Sequence, residues 1–190
     1  MVRRYLLALA MCWLASPAYA ATLDGVTLPD TYTVNGHTLI LNGIGVRAYS
    51  IFRVHIYVAG LYLTKPSHDA AAILASPEPK VVRMQFIHGG SRSEVQDHYR
   101  EGLANECADG DCDPADKADF ERLVAAAPGV QPGDTSTFVF VGKGFRVLAN
   151  DQLIGEFNNP DLAYHMLAGF IGKHPPTREL RSQLLGLPTD

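Results

Sequence analysis

The sequence predicts an α+β fold, a large and mainly antiparallel sheet with helices packed on one face. Three observations carry this. Short apolar runs that alternate or are β-branched fall in two clusters, one before residue 90 and one between 136 and 157. Helix start signals lie between and after those clusters. No internal repeat, low-complexity tract or inter-domain linker interrupts the chain.

The first cluster gives strands at 25–29, 37–41, 45–49, 54–64 and 80–88. The second gives strands at 136–141, 145–149 and 152–157, separated by Gly142-Lys143-Gly144 and Asn150-Asp151. Both separators suit hairpin turns, so this cluster reads as a three-stranded meander. Ser91 followed by Glu94 is a capping-box pattern opening a helix to about residue 105. Pro114 suits the first turn of a helix through Phe120, Leu123 and Val124. Asn159-Pro160 caps a helix reaching 169, and Thr177 opens the last one.

The N-terminus bears on the compartment. Arg3 and Arg4 precede an apolar run over 5–15, then Pro17 and the small-residue site Ala18-Tyr19-Ala20. This is the pattern of a cleaved secretory signal over residues 1–20, which leaves one domain over 21–190. The run is too short for a membrane span of roughly 20 residues, and no later segment supplies one. Met11 before Cys12 does not suit lipoprotein processing. The expected location is periplasmic or secreted, after cleavage near Ala20. Loss of two arginines and no acid takes the formal charge from −4 to −6. A mildly acidic chain without clustered Lys or Arg does not fit a nucleic-acid partner.

Cys107 and Cys112 remain, in the segment CADGDC, where Asp-Gly favours a tight turn. In an oxidising compartment they predict a disulfide that staples a small loop. The two-residue spacing of redox motifs is missing, and so are the further ligands a zinc site needs. Asp109, Asp111, Asp113 and Asp116 alternate nearby, but a calcium loop beginning at Asp109 would need Gly and Glu where Pro114 and Phe120 stand. The segment reads as a solvated acidic loop, with no metal and no cofactor expected.

The chemistry concentrates in residues 41–63, where Arg47 and Tyr57 interrupt apolar strand-like runs. A hairpin pairing 50 with 54 also pairs Arg47 with Tyr57, side by side on one face, with Tyr49 and His55 sharing it. A guanidinium fork beside a phenol suits a carboxylate or ionised oxygen. The alternatives are an internal acid partner or a register that turns Arg47 to water. His88, His98, His165 and His174 show no ligand spacing and read as surface or satisfied histidines. No Ser-His-Asp set, phosphate loop or dinucleotide fingerprint is visible.

LNGIGVR at 41–47, YVAGLYL at 57–63 and FIG at 170–172 resemble the chalcone isomerase-like proteins, in particular their exported bacterial branch. The resemblance implies an open-faced β-sandwich with a ligand cleft between sheet and helices. It also implies two activities: ring closure of a phenolic enone by the enzymes, and fatty-acid binding by non-catalytic relatives. Arg47 matches the arginine that both branches share. Tyr57 matches the tyrosine of the binding branch, where the enzymes carry threonine. Val95, His98 and Gly102 fall where the enzymes present Tyr, Lys and Asn, and Gly169 falls near their cleft threonine.

The expectation is therefore a non-catalytic binder of a small amphipathic carboxylate such as a fatty acid, with Arg47, Tyr57, Tyr49 and His55 at the ligand. An intramolecular lyase of the chalcone isomerase type, acting on a phenolic ligand, is the first alternative. An envelope interaction module with a filled cleft is the second.

Overall fold

The computed structural model describes residues 20–49, 52–108, 110 and 112–189. Of the signal expected over residues 1–20, all but Ala20 lies outside the described residues, as do Ser50, Ile51, Asp109 and Asp111.

Turn chemistry sets the first strands. Asp24 and Gly25, at φ 52° and 76°, join β1 (Ala20–Leu23) to β2 (Val26–Pro29). Asn35 and Gly36, at 48° and 80°, join β3 (Thr31–Val34) to β4 (His37–Tyr49). Two successive residues at positive φ give a turn whose twist matches an antiparallel pair, and Asp-Gly and Asn-Gly adopt it readily. β1 and β3 lie outside the predicted strands, although these dipeptides signal both.

β4 joins the two runs predicted at 37–41 and 45–49 into one strand, with a register shift between Leu41 and Gly43. The shift keeps Leu39, Leu41, Ile44 and Val46 on the outer face. It turns Gly43 and Gly45 toward the helices. The sheet continues through β5 (Val54–Leu63), β6 (Lys80–Phe86), β7 (Thr135–Val141), β8 (Gly144–Ala149) and β9 (Gln152–Phe157). β3 to β9 form a seven-stranded antiparallel sheet in chain order, and β1–β2 is a separate hairpin. The predicted meander is β7–β8–β9, with Asn150 and Asp151 at φ 48° and 62° in its second turn.

The helices are α1 (Ala70–Ala75), α2 (Arg92–Glu106), α3 (Pro114–Ala126), α4 (Pro160–Ile171) and α5 (Arg178–Leu184). Each predicted start is a working cap. Ser91 and Glu94 close a reciprocal capping box, Asp113 and Asp116 close another, and Asn159 and Thr177 accept from the amides of Leu162 and Leu180. α1, capped by Asp69, lies outside the prediction.

Strand alternation divides the apolar residues between two faces. Ala59, Leu61, Val82, Phe138 and Val147 pack on one face against Leu123, Leu162, Ile171 and Leu180 of the helices. On the other face, Val46 and Val58 are covered by Val26 and Leu28 of the hairpin, and Tyr62 packs with Leu39, Val81 and Val139. α5 covers the edge of β4 beyond the end of β3: Val46 N donates to Gln183 Oε1 at 2.9 Å and Asn42 Nδ2 to Leu184 O at 2.9 Å. A Cβ at Gly43 would sit 2.2 Å from Gln183 O, so the contact requires glycine there.

Candidate functional site

In the register of β4 and β5, Arg47 stands opposite Tyr57, as the sequence predicts. Closer to the turn, Ala48 pairs with His55 and Tyr49 with Val54, leaving Ile56 as an extra residue on β5. This bulge changes which side chains share the Arg47 face. Val54, Ile56 and Tyr57 turn inward with Arg47 and Tyr49. His55 does not join them. Its Nδ1 lies 2.5 Å from Asp24 Oδ2 in the β1–β2 turn, so the expectation that it shares the Arg47 face is corrected by one inserted residue.

The inward residues border a cavity of about 450 Å³ between the sheet and the helices. Its floor is Tyr57, Met84, Phe86 and Phe138, and its roof is α2 and α4. Val95, His98, Tyr99, Gly102, Leu103 and Glu106 reach it from α2, the spacing of one helical stripe. From Val95 to Glu106 that stripe extends about 16 Å along the helix axis. No residue of α2 is fully buried, consistent with a helix that roofs a hollow instead of packing on a filled core.

At the sheet end of the cavity Tyr57 is 5 % exposed, and Arg47 Cζ lies 6.0 Å from its ring centroid. The guanidinium thus lies beside the phenol, where its charge favours the phenolate. Arginine has only donors and a neutral phenol adds an O–H, so the pair can present donors to a single anion. Burial pushes the phenol above its ordinary range, and the adjacent guanidinium offsets part of that rise. Tyr57 is therefore a neutral donor at physiological pH. None of the ion pairs among the described residues includes Arg47. Tyr99 is pushed up to about 12 by burial and is a neutral phenol as well. Tyr49, half exposed, sets its ring 5.7 Å from that of His98 at the cavity rim.

Two further residues were not placed at the site by the sequence. Glu106 and His165 meet in the cavity wall from the end of α2 and the middle of α4, with side chains 10 % and 6 % exposed. His165 was expected to be satisfied or at the surface, but among the described residues its Nδ1 has no hydrogen-bond partner. Burial raises the Glu106 carboxyl above its ordinary range, and His165 partly opposes that rise. Histidines 67 residues apart from His98 in sequence carry no spacing signal, so only the three-dimensional arrangement finds this one. Of the family-matched positions, Val95, His98, Gly102 and Gly169 all line the cavity.

Cys107 and Cys112 form the expected disulfide, with Cα atoms 5.3 Å apart, directly after Glu106. Asp113, Asp116 and Asp161 bring carboxylate oxygens within 4.8 Å of one another. Asp113 and Asp116 already accept backbone amides in the capping box of α3, which accounts for their approach. Among the described residues, no helix is long and apolar enough to cross a membrane.

The arrangement offers an apolar hollow with a fork of donors at one end, suited to an anionic head and an apolar tail. The family model described as chalcone isomerase-like matches residues 20–186. Among solved structures, a fatty-acid binding protein of Arabidopsis thaliana is similar, with a TM-score of 0.73 and 14 % identity over 88 % of this chain and 96 % of that one. At that identity the likeness shows the fold. A search of curated protein sequences finds no match.

Proposed function

The chain belongs to the chalcone isomerase-like family, and from that premise we propose that it binds a small amphipathic carboxylate, such as a fatty acid, without catalysing its conversion. Arg47 and Tyr57 hold the carboxylate, Tyr49 borders it at the rim, and the apolar walls enclose the tail. The observation that carries this reading is the Arg47–Tyr57 pair. A cation at the wall of a hollow, beside a neutral phenol and paired with no carboxylate of the described residues, is placed to meet an anion from outside. The similar Arabidopsis protein is a fatty-acid binding protein, which agrees with this use of the fold. The N-terminal pattern of residues 1–20 supports export, and the reading places the mature protein in the periplasm or outside the cell.

Ring closure of a phenolic enone has less support. Of the four positions that would stabilise its developing oxyanion, Val95, Gly102 and Gly169 have no side-chain donor, and His98 alone of the four has one. An interaction module with a filled cleft is disfavoured by the cavity itself. The test is native mass spectrometry with organic extraction on mature protein from the periplasm, comparing wild type with Arg47→Ala. An anionic lipid retained by wild type and lost from the variant is expected. Equal retention by two folded proteins would overturn the reading.

A further inference from the structure

The cavity has a second polar pole that carboxylate binding at Arg47 does not use. Tyr49, two residues from Arg47, touches His98 on α2, and Glu106 lies two further turns along that helix, about 12 Å away. The same wall carries the apolar Leu103, Phe138 and Phe170. At the second pole Glu106 Oε1 is 3.8 Å from His165 Nδ1, too far for a hydrogen bond. Glu106 Oε2 and His165 Nδ1 are both buried, with no hydrogen-bond partner among the described residues. Native interiors seldom keep two orphaned polar atoms side by side, because each forfeits its hydration without replacement. The Cys107–Cys112 disulfide fixes the backbone directly after Glu106, so the pole sits on a constrained helix end.

We propose that Glu106 and His165 anchor a hydroxyl group carried by the ligand away from its carboxylate, so that the preferred ligand class is a hydroxylated fatty acid. This rests on the carboxylate reading above. A hydroxyl has one donor and two acceptor positions, and can donate to the Glu106 carboxyl while accepting from the imidazole N–H. A terminal methyl satisfies neither group. A second carboxylate would bring its oxygens against those of Glu106, and an amine would leave a protonated imidazole nitrogen without an acceptor. A hydroxyl therefore fits both partners where the other common termini fit one or none.

The test is a titration of the mature protein with dodecanoate and its longer homologues, each beside its ω-hydroxy counterpart. Wild type should bind the ω-hydroxy acid about ten-fold more tightly at the length that spans the two poles. In His165→Phe and in Glu106→Met the affinity ratio should fall to near one. Nitrogen chemical shifts of the His165 imidazole in unaltered protein supply a readout that survives misfolding of either variant. They should move on addition of the ω-hydroxy acid and stay with the unsubstituted acid. Unsubstituted acids that bind with Arg47 dependence, but no hydroxyl preference at any length, would overturn this proposal and leave the carboxylate reading standing. Failure of every acid to bind would overturn both.

Discussion

Each face of β5 carries a tyrosine beside an arginine of a neighbouring strand, Tyr57 beside Arg47 of β4 and Tyr62 beside Arg83 of β6, and the two pairs serve different ends. On the outer face Arg83 donates to Thr137 Oγ1 at 2.9 Å and to both carboxylate oxygens of Asp151, at 2.6 and 3.3 Å. The Tyr62 hydroxyl there donates to Pro29 O at 2.9 Å, and burial pushes its pKa up to about 12. On the helix face Arg47 meets Tyr57 and the cavity. The same two residue types are structural where the fold supplies an anion and a carbonyl, and face a cavity where the described residues supply neither. Residue identity is thus a weaker guide to function than the set of partners the fold leaves unfilled.

The largest expected effect separates the two arginines. Arg47→Ala should weaken fatty-acid binding by about ten- to one-hundred-fold, the value of a charge-assisted hydrogen bond. Its effect on the thermal midpoint should be small. Arg83→Ala should do the reverse, lowering stability by about 1–2 kcal/mol in urea titrations while fatty-acid affinity holds. If both variants lost affinity alike, the contrast between the faces would be gone.

Removal of the disulfide by Cys107→Ser with Cys112→Ser should lower stability by about 2 kcal/mol, as expected for so short a loop. Reducing agent on wild type should reproduce that loss in a urea titration. The tyrosines give a smaller version of the arginine comparison. Tyr57→Phe should weaken binding by about three- to ten-fold, and Tyr62→Phe should instead lower stability by about 1 kcal/mol.

The pH dependence concerns the second pole. Glu106 has a folded-state pKa above its unfolded value, because burial disfavours its charge. Below the unfolded value both states are protonated and the group exerts no penalty. As pH rises through the folded value the buried carboxyl ionises and stability falls. Wild type should therefore lose stability relative to Glu106→Gln between the ordinary carboxylate range and neutrality, as read from urea midpoints at the two pH values. A constant difference would show that Glu106 does not titrate in this window.

The smallest effect tests the cavity's shape. A Cβ at Gly169 meets nothing within 4 Å. Gly169→Ala in mid-helix should raise stability by about 0.5–1 kcal/mol. Bulkier Gly169→Leu should reduce fatty-acid binding by filling the wall, as a binding isotherm would show.

Much of the fold was legible because its signals are local. Caps at Ser91, Asn159 and Thr177 and the turn at Asn150-Asp151 depend on a few adjacent residues, and each acts as predicted. The turns at Asp24-Gly25 and Asn35-Gly36 were equally local, and reading them would have added β1 and β3. The Arg47–Tyr57 pairing was legible because a short hairpin limits the register. The bulge at Ile56 was not, since an inserted residue leaves no mark in an apolar run, and His55 was misplaced as a result. Glu106 and His165 were beyond reach for a different reason. They meet only through the packing of α2 on α4, which neither helix's own sequence specifies.

The most direct test of the central claim compares dodecanoate with dodecanol, which share a tail and differ in the head, on wild type and Arg47→Ala. The account predicts that wild type prefers the carboxylate and that the variant binds the two alike. Equal binding of both by wild type, or a carboxylate preference that survives in a folded Arg47→Ala, would contradict it.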